Sequence, residues 1–231
     1  IVADVIEDDI MNRLNYTDSE QTFVTGSDPY NYIWYSGKLW RAVSIDPSDN
    51  SVKLITEWNM ASFPYDDNST AFDGSFMEAW LNDTSVDGFL YNLRKYTTFI
   101  KTNSVWNATR TSENTKPAKT TMVTDAVGLL NLYEYVMRYS GTDYTNGYLN
   151  NGLWWRLLNG DSNDYVYTIT DTGFRNRISP TYLHSVRPAI NLKGTIKIVE
   201  GRGTESDPYR LEGDNDKNLN GTLLNTRYSG E

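Results

Sequence analysis

The order in which hydrophobic patterns occur most restricts what this chain can fold into. Strand-like runs come first, helical and loop-like segments follow, and strand-like runs return. Near the start, Thr22–Thr25 reads as a short strand and Asn31–Asp46 as a hairpin around the turn Ser36-Gly37-Lys38. Pro47–Asn50 is a turn, and Ser51–Glu57 a third strand. In the middle, Ser75–Leu81 places Phe76, Ala79 and Trp80 on one helical face, Val86–Tyr96 predicts a second helix, and Leu129–Arg138 a third. Residues 103–120 are polar and without period, a long surface loop anchored by Trp106, before a brief strand at Met122–Asp125. Strands return at Leu153–Leu158, Tyr165–Thr170, Phe174–Ile178, Val186–Leu192 and Thr195–Val199. Strands, then helices and loops, then strands make an α+β chain rather than a series of β-α-β units.

Two segments frame this body. Val2–Leu14 has apolar residues near helical spacing, with acids early and Arg13 late, the charge order a helix dipole favours, so a helix is expected there. Residues 1–200 then form one domain, and the polar stretch 201–231 is expected to be a linker or the start of a following module. The chain opens on Ile1 with neither Met nor signal peptide, as expected of an excised fragment.

Composition narrows the chemistry. Zero cysteines exclude a thiol nucleophile, a disulfide, a zinc knuckle or an iron–sulfur cluster. One histidine, His184, cannot build a site with several His ligands, and no Gly-x-Ser-x-Gly elbow accompanies it. No catalytic residue, metal or cofactor is assigned. With 21 basic against 30 acidic residues the net charge is −9, which repels nucleic acid. No apolar run approaches the roughly 20 residues that span a bilayer, so membrane contact is not expected either. Seven Trp and seventeen Tyr are many for 231 residues, and such rings serve cores, interfaces and sugar stacking alike.

Arg187 lies in an apolar strand and needs a carboxylate or backbone carbonyls, because an unpaired buried charge is costly. His184 reads as structural. Asp66, Asp67, Asp73 and Glu78 are the residue types of glycoside hydrolysis, yet they sit in a loop entering a helix, and catalysis is not assigned to them. Asp214, Asp216, Asn218 and Asn220 alternate like half a calcium loop, but Leu219 replaces the required Gly and Asn225 the closing Glu.

Five motifs occur in order: Trp34–Arg41, Trp80-Leu81-Asn82, Val127–Tyr135, Trp154-Trp155 and Ser185–Leu192. Together they resemble a family of Gram-positive bacterial surface domains with no assigned function, over about residues 30–195. That family is similar to the C-type-lectin-like group. The resemblance implies a small twisted antiparallel sheet with flanking helices and long loops. It also implies a secreted, extracellular location on the bacterial cell surface. The tail from Asn191 to Leu211 is similar to segments of long pilin-like or cell-wall proteins.

The function expected is then non-enzymatic adhesion, with a glycan or protein ligand, or neighbouring subunits of the same surface protein, as partner. A structural stalk or filament module is the alternative, and a carbohydrate-active enzyme a remote one. In lectin-like folds the segment before the closing strand carries the ligand surface, which maps to residues 159–182. The expected contacts are Trp154 and Trp155 at the floor, with Asn159, Asp161, Asn163, Tyr165, Tyr167, Phe174 and Arg175.

Overall fold

The computed structural model describes residues 1–9, 11–136 and 144–214. In chain order the elements are α1 (Val2–Asp8), β1 (Arg13–Thr17), β2 (Thr22–Thr25), β3 (Tyr32–Tyr35), β4 (Lys38–Asp46), β5 (Ser51–Thr56), β6 (Ala61–Phe63) and α2 (Phe76–Asn82). They continue with α3 (Tyr96–Phe99), β7 (Val105–Asn107), β8 (Met122–Thr124), β9 (Val127–Gly128) and α4 (Leu132–Val136). The last are β10 (Trp155–Gly160), β11 (Val166–Ile169), β12 (Arg175–Ile178), β13 (His184–Val186), β14 (Ala189–Leu192), β15 (Ile198–Glu200) and β16 (Tyr209–Leu211). The fold is α+β and mostly sheet. No helix among the described residues is long and apolar enough to cross a membrane.

The main sheet runs β15-β16-β3-β4-β5-β14-β9, with β2 pairing the far end of β4 and β1 pairing β2. Its nucleus is the β3–β4 hairpin. Ser36 and Gly37 both have positive φ, 55° and 70°, the pairing a two-residue hairpin turn needs. Serine tolerates this because its neighbours fix it. Its N–H donates to Asp214, and its hydroxyl donates to the Asn92 carbonyl and accepts from the Arg94 N–H. A smaller sheet, β10-β11-β12, and two ribbons, β6–β13 and β7–β8, complete the framework.

Several expected elements hold: the hairpin, the strands at 22–25 and 51–56, and a helix capped by the Ser75 hydroxyl, which accepts from the Glu78 N–H. The buried face of that helix is different. Met77 and Leu81 are buried while Phe76 is exposed, because Met77, Trp80 and Leu81 form an equally apolar i, i+3, i+4 set. The helix expected over Val2–Leu14 ends at Asp8. Asn12 is buried beyond it, donating to the carbonyls of Ile6 and Tyr30, and the chain turns into β1. Val86–Tyr96 is not one helix but a turn, a 3-10 segment at Leu90–Asn92 and the short α3, with Lys95 left-handed between them.

Val186–Leu192 is two strands in different sheets. Pro188 cannot donate to a ladder, and the chain breaks there. Arg187 at the break is fully buried, and two of its three nitrogens reach backbone carbonyls. Its Nε donates to Thr56 O at 2.9 Å and its Nη1 to Leu149 O at 2.5 Å.

The main sheet also crosses the boundary expected at residue 200. β16 pairs in parallel with β3, and Tyr209 and Leu211 are buried in the common core. Residues 201–214 are therefore integral, and residues 215–231 lie outside the described part. Asp214 accepts from Ser36 N–H and bridges Arg94 at 3.1 Å, and Asp216, Asn218 and Asn220 lie outside the described residues.

Candidate ligand-binding site

The aromatic patch expected around Trp155, Tyr165 and Tyr167 is not formed. Trp155 is wholly buried, edge-on to Tyr135 at 5.5 Å, with the Arg187 guanidinium 4.5 Å from its ring centre. Tyr167 is buried, and its hydroxyl donates to Thr111 O at 2.8 Å, pinning the polar 103–120 segment. Asn159 is buried too. Its oxygen accepts from Leu132 N–H at the start of α4 and its amide donates to Thr109 O. All three are core residues, because β10 and β11 are covered on both faces and alternation no longer sends every second side chain outward.

The remaining predicted residues are at the surface but scattered. Asp161 pairs with Arg177, Arg175 donates to Asn114, and Asn163 is exposed. Tyr165 lies beside Arg177, and Phe174 packs edge-on to Tyr144. Trp154 is 40% exposed and stands edge-on to His184.

A cleft of about 380 Å³ opens close to the Trp154 backbone. Segments far apart in sequence build it: the turn at Ser27 and Asp28, the sheet residues Tyr32 and Arg41, the bend at Glu57 and Trp58 after β5, and the stretch Thr145–Asn151. Trp154 is tied to it, since Asn59 donates to Trp154 O while Asn151 donates to Asn59 and to Glu57 O.

Arg41 organises the floor. Its guanidinium is 3.6 Å from the ring centre of Tyr32 and 5.0 Å from that of Tyr148, so it is clasped between two aromatic faces. Its donors go to Asn31 Oδ1, Glu57 Oε2 at 3.1 Å and Pro29 O. Buried charge is tolerated because each of the three guanidinium nitrogens has an acceptor. Glu57 is itself buried, held by one oxygen. Its other oxygen, Oε1, makes no hydrogen bond among the described residues and is not sealed from solvent. Asp28 stands exposed at the rim, and Trp58 presents a ring that is 47% exposed. Burial pushes the Tyr32 phenol up, with the Glu57 and Asp28 charges adding to it against Arg41.

This arrangement offers fixed carboxylate acceptors beside an exposed indole face. Chemically it can accept hydrogen bonds from hydroxyl groups and stack a flat apolar surface. Nothing local in the sequence marks it, since positions 28, 57 and 151 share no motif. The one available signal is composition: the 142–152 stretch mixes Tyr, Asn and Gly, as recognition loops do.

Two of the carboxylates of the residue types used in hydrolysis, Asp66 and Glu78, hold backbone N–H groups. Asp66 accepts from the N–H groups of Asn68, Ser69 and Phe76, and Glu78 from that of Gly74, so both fix the entry to α2. Glu78 has a further contact with Asp125, between β8 and β9. Burial pushes the Asp125 carboxyl up to about 8 from an ordinary 3.8, helped by the Glu78 hydrogen bond and the charges of Glu78 and Asp73. Its buried Oδ2 finds no partner as an acceptor, which fits a protonated carboxyl that donates.

A raised folded value means this group stabilises the fold below about pH 4 and loses that contribution as pH rises through about 8. His184 acts oppositely. Burial first, then the Arg156 charge, lowers it to about 4 from 6.5, so its contribution is present above 6.5 and lost as pH falls through 4. Thermal melting from pH 5 to 8.5 is expected to show Asp125→Asn losing less melting temperature than wild type. Parallel curves for the two proteins would refute the shared proton.

Comparison with family models, with curated proteins and with solved structures finds no match.

Proposed function

We propose that this chain is a non-catalytic, C-type-lectin-like recognition module of a bacterial surface or pilus-associated protein, acting outside the cell, and that it binds a glycan in the cleft at Glu57 and Trp58. The observation that carries the reading is the Arg41–Glu57 pair. It is fixed by two tyrosine rings, and leaves one carboxylate oxygen uncommitted beside an exposed tryptophan. Carboxylate acceptors suit the hydroxyls of a sugar, and an indole face suits the C–H face of its ring. Transfer chemistry has less support. The one histidine, His184, is packed against Trp154 and Thr168 rather than placed in the cleft.

A glycan array with the wild-type domain, Trp58→Ala and Asp28→Asn tests the proposal. Both positions are exposed, so each change is expected to leave stability within about 0.5 kcal/mol. Loss of the indole should weaken the bound glycan about tenfold or more, since a stacked aromatic contributes roughly 1 kcal/mol beyond its area. A glycan bound equally well by Trp58→Ala would contradict the proposal. An array without any ligand would favour a structural stalk or filament module instead.

A further inference from the structure

A second cleft, of about 500 Å³, opens over the main sheet and shares no lining residue with the first. Its floor is a polar row across three strands. Ser44 of β4 and Asn191 of β14 lie opposite Lys53 of β5 in the ladder. Two residues along the same strands, Ile55 and Ala189 are fully buried, and the other face of β5 and β14 carries Val52, Leu54, Ile190 and Leu192 in the core. Sheet faces covered by protein are apolar. This one turns polar where it meets the cleft.

The row carries unused donors at a fixed cation. Lys53 Nζ is 2.6 Å from Glu134 Oε2 and 5.0 Å from the centre of the Trp106 ring, so its position is set from two sides. An ammonium has three N–H donors, and Lys53 makes one hydrogen bond among the described residues. The side-chain amide of Asn191, half-buried beside it, makes none. On the walls stand two more ammonium groups: Lys101, bridged to Asp49, and Lys119, bridged to Glu20. These outer pairs are solvent-exposed and correspondingly weak, so a ligand anion can replace their carboxylates.

We infer that this cleft is a second binding site, for an acidic sugar with one carboxylate and neighbouring hydroxyls. Three lysines line the cleft, and an anion can take up their remaining N–H donors. Ser44 and Asn191 match hydroxyls. Asp46 and Glu20 in the same lining reject a polyanion, as does the net charge of −9. With only Val105 and Met122 as large apolar contacts, an apolar ligand finds no support.

The test is titration of the domain, by calorimetry and NMR, with galacturonic acid, with galactose, and with inorganic phosphate. Galacturonate is expected to bind at least tenfold tighter than galactose or phosphate. The double variant Lys101→Gln/Lys119→Gln, and separately Asn191→Asp, should each weaken it at least tenfold with melting temperature retained. Lys53 is left alone, because its removal strands the buried Glu134. Trp58→Ala should bind galacturonate like wild type, which separates this cleft from the first. Four outcomes would overturn the inference: no galacturonate binding up to about 10 mM; equal binding of galactose; equal binding of phosphate; or double-variant binding unchanged from wild type.

Discussion

Replacing Trp155 by alanine is expected to destabilise the domain by roughly 3–5 kcal/mol, the usual cost of emptying a buried tryptophan site. The same change one residue earlier, at Trp154, should stay within about 0.5 kcal/mol. The two residues are sequence neighbours with opposite environments. Trp155 has no exposed surface, meets Tyr135 edge-on, and offers its face to the Arg187 guanidinium. Without the indole, Arg187 stays tethered to Thr56 O and Leu149 O but borders a void. Trp154 keeps its backbone tie to Asn59 whatever its side chain. Urea unfolding of both variants measures the contrast. Similar small losses at both positions would show that Trp155 is not the core residue described.

Ending the chain at Glu200 should remove most or all of its stability. The deletion takes away β16, the parallel partner of β3, and with it the buried Tyr209 and Leu211. Each such side chain contributes roughly 1.5–3 kcal/mol when fully buried. Tyr209 also donates to Asp9, tying the two ends of the described chain together. Asp214 is lost as well. It is the carboxylate beside Arg94 and Lys38, and Lys38 is already held down to about 8, by burial first and then by Arg94, against the opposing pull of Asp214. Without it two cations face each other in a sparsely solvated corner. The sum is about 4 kcal/mol or more, a large share of the 5–15 kcal/mol that stabilises ordinary domains. Thermal melting of the truncated chain should show a transition lowered by many degrees or absent. A melt matching the full chain would mean that residues 201–214 are an appendage.

Local patterns were legible where one residue's environment follows from its neighbours. The β3–β4 hairpin is visible because two aromatic, β-branched runs flank Ser36-Gly37, and α2 because apolar residues recur at helical spacing between Ser75 and Leu81. The ladder break at Pro188 is not, although proline carries the reason. Arg187 reads from its apolar surroundings as a buried charge, while nothing but Pro188 marks the chain's change of sheet beside it. Alternation failed at β10 and β11 for a different cause. Coverage of both faces by α4, β13 and the 103–120 segment is a tertiary fact, so Trp155, Asn159 and Tyr167 were assigned to a surface they do not reach. The 201–214 stretch holds few apolar residues, and two of them, Tyr209 and Leu211, decide its place. The cleft itself is assembled from positions 28, 57 and 151, whose proximity only the folded sheet creates.

The central claim is that recognition takes place at Glu57 and Trp58 rather than on the outer strand β12. Amide and indole chemical-shift mapping of the labelled domain, titrated with the best glycan from the array, tests it most directly. The largest shifts should fall on Asp28, Trp58, Gly147 and Asn151, with the Trp58 indole N–H among them, while Tyr165, Phe174 and Arg175 stay in place. Shifts centred on Tyr165, Phe174 and Arg175, with Trp58 unmoved, would contradict the account.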